Sequence, residues 1–431
     1  MIDTNLPYMK QKVNTISRLL QIGYLIVVVG LFLYSFTQVD LSLTLSEWSI
    51  WQIVQKFFQN IGYFQRPLST LFYIVIILLL YIFYFAFLFL AHKKKITRKE
   101  VWFLILATTV ILTFSYNAFS YDLFNYIFDA KIVTHYHQNP YIHKALDFPQ
   151  DPMLSFMHWT HRTYPYGPMW LILTVPLSFF VNFFLPTFFI FKTLIALSFL
   201  GTAFFISKIL NKISPHNEVF GLVFFALNPL VIIESLVSGH NDIVMIFLSM
   251  VALYSVMNNK YVRSFILLVL SIGIKFATIF LIPVFAFLYF QIVHRHSGNS
   301  ERSVEASRIP IENKRFWTSQ NDAWQKIFLS ITALMIIPVA MASVRTDFQP
   351  WYLLYVLPFS ALISKKYYVF IPSVVVSFFA LLQYAPFLYL GNWNEPVPTL
   401  LLWITISSIL LSLVLILFWQ VRSFLVIKKQ K

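Results

Sequence analysis

Residues 120–168 form a polar interval that reads SYDLFNYIFDAK (120–131), HYHQNPYIH (135–143) and HRTYPYGP (161–168), with long apolar runs on both sides. Carboxylates, imidazoles, tyrosines and turn-forming prolines gather there, in a chain that is 58% hydrophobic, 19% aromatic and only 11% charged. A soluble globular chain carries about 25% charged residues, so this composition excludes one and places the chain in a membrane. A helix crosses the hydrocarbon in about 20 apolar residues. The sequence has room for about a dozen such spans. The expected fold class is therefore an all-α polytopic membrane protein, with the polar interval as a large external loop carrying amphipathic helices.

The net charge of +15 does not point to nucleic acid, because polytopic proteins retain Lys and Arg on the cytoplasmic side. With no cysteine, disulfides and thiolate metal sites are excluded. The first apolar run, 18–36, follows Lys10, Lys12 and Arg18 without a small-residue cleavage site, which reads as a retained signal anchor with a cytoplasmic N-terminus. Residues 40–66 form an amphipathic loop whose Trp48, Trp51, Phe57 and Phe58 suit the outer interface. The second span, 68–91, ends in HKKKITRKE, the strongest cytoplasmic signal, so a third span at 101–119 delivers residues 120–168 outside. The run 169–184 is short and holds Pro176, and reads as interfacial or re-entrant. Spans at 186–210 and 219–237 follow, the latter presenting SGHND (238–242) externally, and the next returns to NNKYVR (258–263). Lys275 lies mid-way along 264–292, where a broken hairpin with Lys275 at its outer tip avoids an ammonium in hydrocarbon. Residues 293–326 read as an unstructured cytoplasmic loop. Four more spans occupy 327–431, with RTDFQPWY (345–352) and GNWNEPVP (391–398) outside and SKKYY (364–368) and KKQK (428–431) inside. A rival arrangement counts 169–184 as a span and 264–292 as one helix, which moves SGHND inside; the positive-inside rule favours the first.

In SYDLFNYIFDAK, Asp122, Asn125, Tyr126 and Asp129 fall on one helical face, opposite Leu123, Phe124, Ile127 and Phe128. This describes a helix on the membrane surface with two carboxylates facing water. Such a pair suits general-base or metal work, and capping by Asp122 with a solvated Asp129 is the plainer alternative. The prolines and glycine of NPY (139–141) and YPYGP (164–168) make turns. His135, His137, His143, His158 and His161 match no standard metal spacing, and a divalent metal stays open. Arg162 suits a phosphate better than a metal. Capping explains Gly239 and Asn241, and leaves His240 and Asp242 in an apolar neighbourhood without an explanation. Lys275 and Arg345 are lipid-phosphate ligands or snorkelling anchors.

The order YDLFNYIFDA, NPY, YPYGPMW resembles the GT-C superfamily of polytopic glycosyltransferases. It is especially similar to the GPI mannosyltransferase I family and its prokaryotic relatives that use polyprenyl-phosphate mannose. SGHND and IKFATIFLIP around Lys275 resemble later motifs of that superfamily, including those of the aminoarabinose transferases of lipid A modification. The resemblance implies an N-terminal two-span addition (1–100), a catalytic core (101–292) with its external loop at 120–185, a cytoplasmic loop (293–326) and C-terminal spans (327–431). It implies Asp122 as catalytic base, Asp129 and Asp242 as further acids, and Arg162, Lys275 and Arg345 around a donor phosphate. Asn125, His161, Tyr164, Tyr166, His240 and Asn241 are the substrate-binding candidates. The family pattern carries a closely spaced acidic pair where this chain has Asp122 alone between Tyr121 and Leu123. The implied activity is inverting transfer of a hexose, with mannose foremost, from a polyprenyl-phosphate donor to a glycan, lipid or protein acceptor. It would act at the external face of the plasma membrane, among membrane lipids and without nucleic acid, both termini being cytoplasmic. A lipid-linked saccharide transporter or flippase, an O-antigen polymerase or ligase using a diphosphate-linked donor, and a structural or assembly protein are the alternatives.

Overall fold

In lipid each backbone N–H and C=O must find a partner within the protein, and a helix supplies one inside a single segment. The computed structural model, which describes residues 5–180, 183–298 and 313–430, is helical accordingly; among these residues one isolated bridge, Lys144 to Thr163, stands in place of any strand. Helix α1 (Asn5–Ser35) is followed by the short amphipathic α2 (Ser49–Gln59), then α3 (Arg66–His92), α4 (Arg98–Thr113) and α5 (Asp122–Thr134). The expected interfacial run folds as α6 (Pro168–Thr174) with a 3-10 turn at Pro176–Phe180, too short to cross the bilayer. Then come α7 (Phe184–Ile213), α8 (Glu218–Ala226), α9 (Pro229–Ile232) with a π-turn at Ile233–Val237, α10 (Asp242–Val256), α11 (Tyr261–Ile274) and α12 (Ile282–Gly298). The C-terminal part holds α13 (Asn313–Leu334), α14 (Ile336–Thr346), a 3-10 helix at Pro350–Tyr355, α15 (Leu357–Ala361), α16 (Tyr367–Leu382), α17 (Tyr384–Leu390) and α18 (Val397–Gln430).

Among the described residues six stretches are long and apolar enough to cross a membrane: Ser17–Gln38, Arg66–His92, Phe184–Ile213, Asp322–Thr346, Tyr367–Leu390 and Val397–Leu425. A seventh is the pair Pro215–Ala226 and Pro229–Val237, bent by 56°. The other stretches expected to cross fall in shorter helices, α4, α10 and α11 among them. The C-terminal span expected between RTDFQPWY (345–352) and SKKYY (364–368) is corrected: the chain there forms the 3-10 helix Pro350–Tyr355 and α15, both largely buried in protein. The unstructured loop expected at 293–326 is corrected at both ends, where α12 and α13 run; residues 299–312 lie outside the described residues.

Each break in a helix has a local cause. At Asn228-Pro229 the proline removes an N–H, while the Asn228 side chain accepts from the Leu230 N–H at 3.0 Å and starts α9. Gly239, at φ +72°, makes the left-handed turn that swings the chain from the π-turn into α10. Lys275 is extended (φ −152°, ψ 133°) between α11 and the 3-10 turn Phe276–Leu281, so the break expected at this lysine is present.

The turn at residues 164–168 is tied to that break. The Gly167 N–H donates to the Ile274 carbonyl at 3.0 Å, and a Cβ on Gly167 would lie 2.1 Å from the Gly273 carbonyl oxygen. Backbone meets backbone there, so a methyl group has nowhere to go. Gly167→Ala should lower stability by about 1–3 kcal/mol, the usual overpacking range. The thermal midpoint of the full chain in detergent reads this, and an unchanged midpoint would show that the two segments are not locked together.

Candidate active site

The polar face of α5 turns toward protein. Leu123, Phe124, Ile127 and Phe128 are buried as expected, but Tyr126 on the opposite face is buried too, while Asp122, Asn125 and Asp129 are half-buried. The picture of two carboxylates facing open water is therefore corrected: α5 packs beneath the turn at 238–241 instead of lying free on the surface. The Asn241 N–H donates to the Tyr126 hydroxyl at 3.4 Å. The N-cap position of α5 is Tyr121, without a side-chain cap, and Ser120 Oγ accepts from the Asp122 N–H at 3.1 Å, so the Asp122 carboxylate does not cap its own helix.

That carboxylate meets His240. Asp122 Oδ2 lies 3.5 Å from His240 Nδ1, and the second imidazole nitrogen, Nε2, lies 3.3 Å from Glu234 Oε2. His240 and Glu234 are fully buried, whereas the Asp122 side chain is 21% exposed. The Trp351 ring stacks on the imidazole at 4.3 Å between centroids and 20° between planes. Tyr384 Oη donates to Glu234 Oε1 at 2.9 Å. Burial alone would lower the His240 pKa, but the two flanking carboxylates outweigh it and raise it to about 9. Burial works against charge on Asp122 as well, yet His240, Lys275 and Arg162 together hold its pKa below the ordinary value. Asp129 lies about two turns further along α5, where burial and repulsion from Asp122 push its pKa well above the usual carboxylate range.

A second pair closes the site from the other side. Asp242, fully buried at the first turn of α10, accepts from Lys275 Nζ at 2.7 Å. The ammonium also sits 5.8 Å from the Tyr355 ring centroid, and its side chain is 25% exposed. Tyr166 lies in the field of three acids: burial and the nearby Asp122, Asp129 and Asp242 carboxyls raise its phenol well above the ordinary value. The SGHND turn is held from below by Lys192 of α7. Its Nζ donates to the Leu236 carbonyl, to the Val237 carbonyl at 3.1 Å and to Ser115 Oγ at 3.2 Å. Those carbonyls end the π-turn and have no helical N–H to meet, so three donors on one buried ammonium satisfy them.

The fold thus brings together Asp122, Asp129, Asp242, His240, Asn241, Tyr166 and Lys275 from four separate stretches. Asn241 is fully buried, and neither side-chain polar atom has a partner. Arg162 is exposed, stacked 4.3 Å over Trp159, and near enough to act on Asp122 through charge. Of the other substrate-binding candidates, Tyr164 donates its hydroxyl to the Gly167 carbonyl at 3.0 Å, Asn125 donates to the Tyr121 carbonyl at 3.3 Å, and His161 stands exposed. Arg345 is exposed at the end of α14 and forms no ion pair with Asp347. Among the described residues no group of three or more His, Asp and Glu side chains is arranged to hold a metal ion. Cations of the protein already face Asp122 and Asp242, a donor set that suits an anionic ligand better than a divalent metal.

Sequence reading passed over Glu234, Lys192, Trp351 and Tyr355. The first two carried a signal, since an ionisable residue inside an apolar run is by default functional or paired. The two aromatics carried none.

The model of one family, described as alpha-(1→6)-mannopyranosyltransferase, N-terminal domain, matches residues 21–291, well over half of the chain. No curated protein and no solved structure matches.

Removing Lys275 alone would strand the buried Asp242 carboxylate. Lys275→Met should cost about 3–5 kcal/mol, and Asp242→Asn together with Lys275→Met should recover most of that loss, because breaking a buried pair costs more than deleting it. Thermal midpoints of the single and double variants in detergent check this. A double variant as unstable as the single would show that the pair is not coupled.

Proposed function

This chain belongs to the MptA_B family of alpha-(1→6)-mannopyranosyltransferases, and from that premise we propose that it moves mannose from a polyprenyl-phosphate donor to an acceptor hydroxyl at the external face of the plasma membrane, by inversion in a GT-C-type site. A membrane mannosyltransferase needs a sugar donor and an acceptor. The observation that carries the finer reading is the partly exposed Asp122 carboxylate against His240, with Lys275 and Arg162 near enough to act on it through charge. The acceptor oxygen attacks the anomeric carbon as the bond to the donor phosphate breaks. Asp122 receives the acceptor proton, while Lys275, steadied by Asp242, and Arg162 meet the charge that develops on the departing lipid phosphate. Asp129, with Tyr166, His240 and Asn241, shapes the surrounding site; Arg345, exposed at the end of α14, is a further candidate for the donor phosphate. Direct displacement inverts the anomeric carbon, so an α-linked product requires a β-linked donor.

The external placement rests on charge. HKKKITRKE ends α3, and α4 leads from it to α5 and the site. Sixteen residues of α4 rise about 24 Å against a hydrocarbon core about 30 Å thick, so α5 would sit slightly below the outer surface, where a lipid phosphate arrives. Helices broken at Asn228 and Lys275 also favour a lipid-linked saccharide transporter as a second reading. Family membership weighs toward the transferase.

Purified full-length protein in detergent, given β- or α-linked polyprenyl-phosphate mannose and an α-mannoside acceptor, tests both. The expected result is transfer from the β-linked donor only, reduced about 10²–10⁴-fold in Asp122→Asn with the thermal midpoint kept. Normal turnover in Asp122→Asn would end the assignment of the base. With the same protein reconstituted in vesicles, movement of intact donor across the bilayer without transfer would favour the transporter.

A further inference from the structure

We propose that Glu234 is a positioning residue for transfer: it holds buried His240 as the counter-cation that aims the Asp122 carboxylate and keeps it ionised. This rests on reading Asp122 as the proton acceptor. Glu234 and His240 are fully buried and cannot meet a substrate, while Asp122 is 21% exposed and can. Whatever the inner two groups contribute must therefore pass through Asp122.

The carboxylates on either side of the ring decide its state. Each ring nitrogen faces a carboxylate oxygen, Nδ1 toward Asp122 at 3.5 Å and Nε2 toward Glu234 at 3.3 Å, in contacts set by charge and not by hydrogen-bond geometry. A neutral imidazole leaves both facing carboxylates without a counter-charge; the imidazolium meets both. The contact is fixed at each end. The His240 backbone N–H donates to the Glu234 backbone carbonyl at 3.1 Å, Tyr384 donates to the other Glu234 carboxylate oxygen, and Trp351 stacks on the ring. The charged and titratable groups around His240 are Asp122 on α5, Glu234 in the π-turn, and Tyr384 of α17 and Tyr73 of α3 behind Glu234. Lys275 and Arg162 act on Asp122 from its outer side, and Trp351 is neutral.

The sign of the pH dependence follows. The imidazolium persists below about 9, so transfer that needs it falls as pH rises through that value. Glu234→Gln removes one flanking charge and should move this alkaline fall down by about 1–3 units, the usual effect of one close opposite charge. It should lower kcat and leave the KM for acceptor and donor nearly unchanged. Tyr384→Phe, which leaves the carboxylate in place, should move the fall in the same direction by less. A second readout needs no turnover: the ¹⁵N-histidine spectrum of the full chain in detergent, with the His240 signal assigned from its loss in His240→Gln. His240 should titrate far above the ordinary histidine value in the natural sequence and lower in Glu234→Gln or Tyr384→Phe. The proposal is overturned if His240 titrates near 6.5, or if the pH profile of the variants is unmoved while activity and thermal midpoint fall together. Because the titration reads the pairing whether or not sugar moves, failure of the pairing and failure of the transferase reading show up separately.

Discussion

An ionised side chain beneath a membrane surface must meet an opposite charge or a full set of hydrogen-bond partners, and the centre of this protein is arranged around that requirement. Lys275 meets Asp242, Lys192 meets carbonyls at the end of the π-turn, and His240 is shared by Glu234 and Asp122. The helices break beside these groups. Lys275 stands where α11 gives way to a 3-10 turn, and His240 follows the left-handed Gly239 at the head of α10. A continuous helix would leave such side chains on a lipid-facing or tightly packed flank. A break lets them turn inward and find one another.

Much of this was legible in the sequence, because hydropathy reports spans through one physical cause, the need of a lipid-exposed backbone for internal hydrogen bonds. The break at Lys275 could be read from the cost of a mid-span ammonium, and α5 from its face of Asp122, Asn125, Tyr126 and Asp129. What hydropathy cannot separate is burial in lipid from burial in protein. The apolar run between RTDFQPWY and SKKYY suggests a span, yet the chain there folds inward, and the 3-10 helix at its head delivers Trp351 to His240 and Tyr355 to Lys275. The orientation of α5 was misread for a related reason. Its polar face satisfies itself against the SGHND turn, which lies more than a hundred residues away in the chain, and no local pattern reports a partner that distant.

Environment pushes the two carboxyls of α5 in opposite directions. Asp122 has His240, Lys275 and Arg162 near it, which hold its pKa down; Asp129, seven residues on, has burial and the Asp122 charge, which push its pKa up. The helix therefore offers two carboxyls of unlike proton affinity about 10 Å apart along its axis. A hexose, with hydroxyls on both sides of its ring, can meet both.

On the proposed reading, the low pKa of Asp122 has a consequence for the timing of proton transfer. A carboxylate held firmly ionised is a weak base toward a neutral hydroxyl, and it gains the proton only once bond formation has made the acceptor oxygen strongly acidic. Its early role is then to orient that hydroxyl and to favour positive charge building on the sugar. Bond cleavage to the phosphate must run ahead of proton removal, which places the greater demand on the groups that receive the leaving phosphate. A site that spends a buried imidazolium to keep its base anionic, and a buried aspartate to keep its lysine in place, is built for that order of events: charge separation first, the proton last.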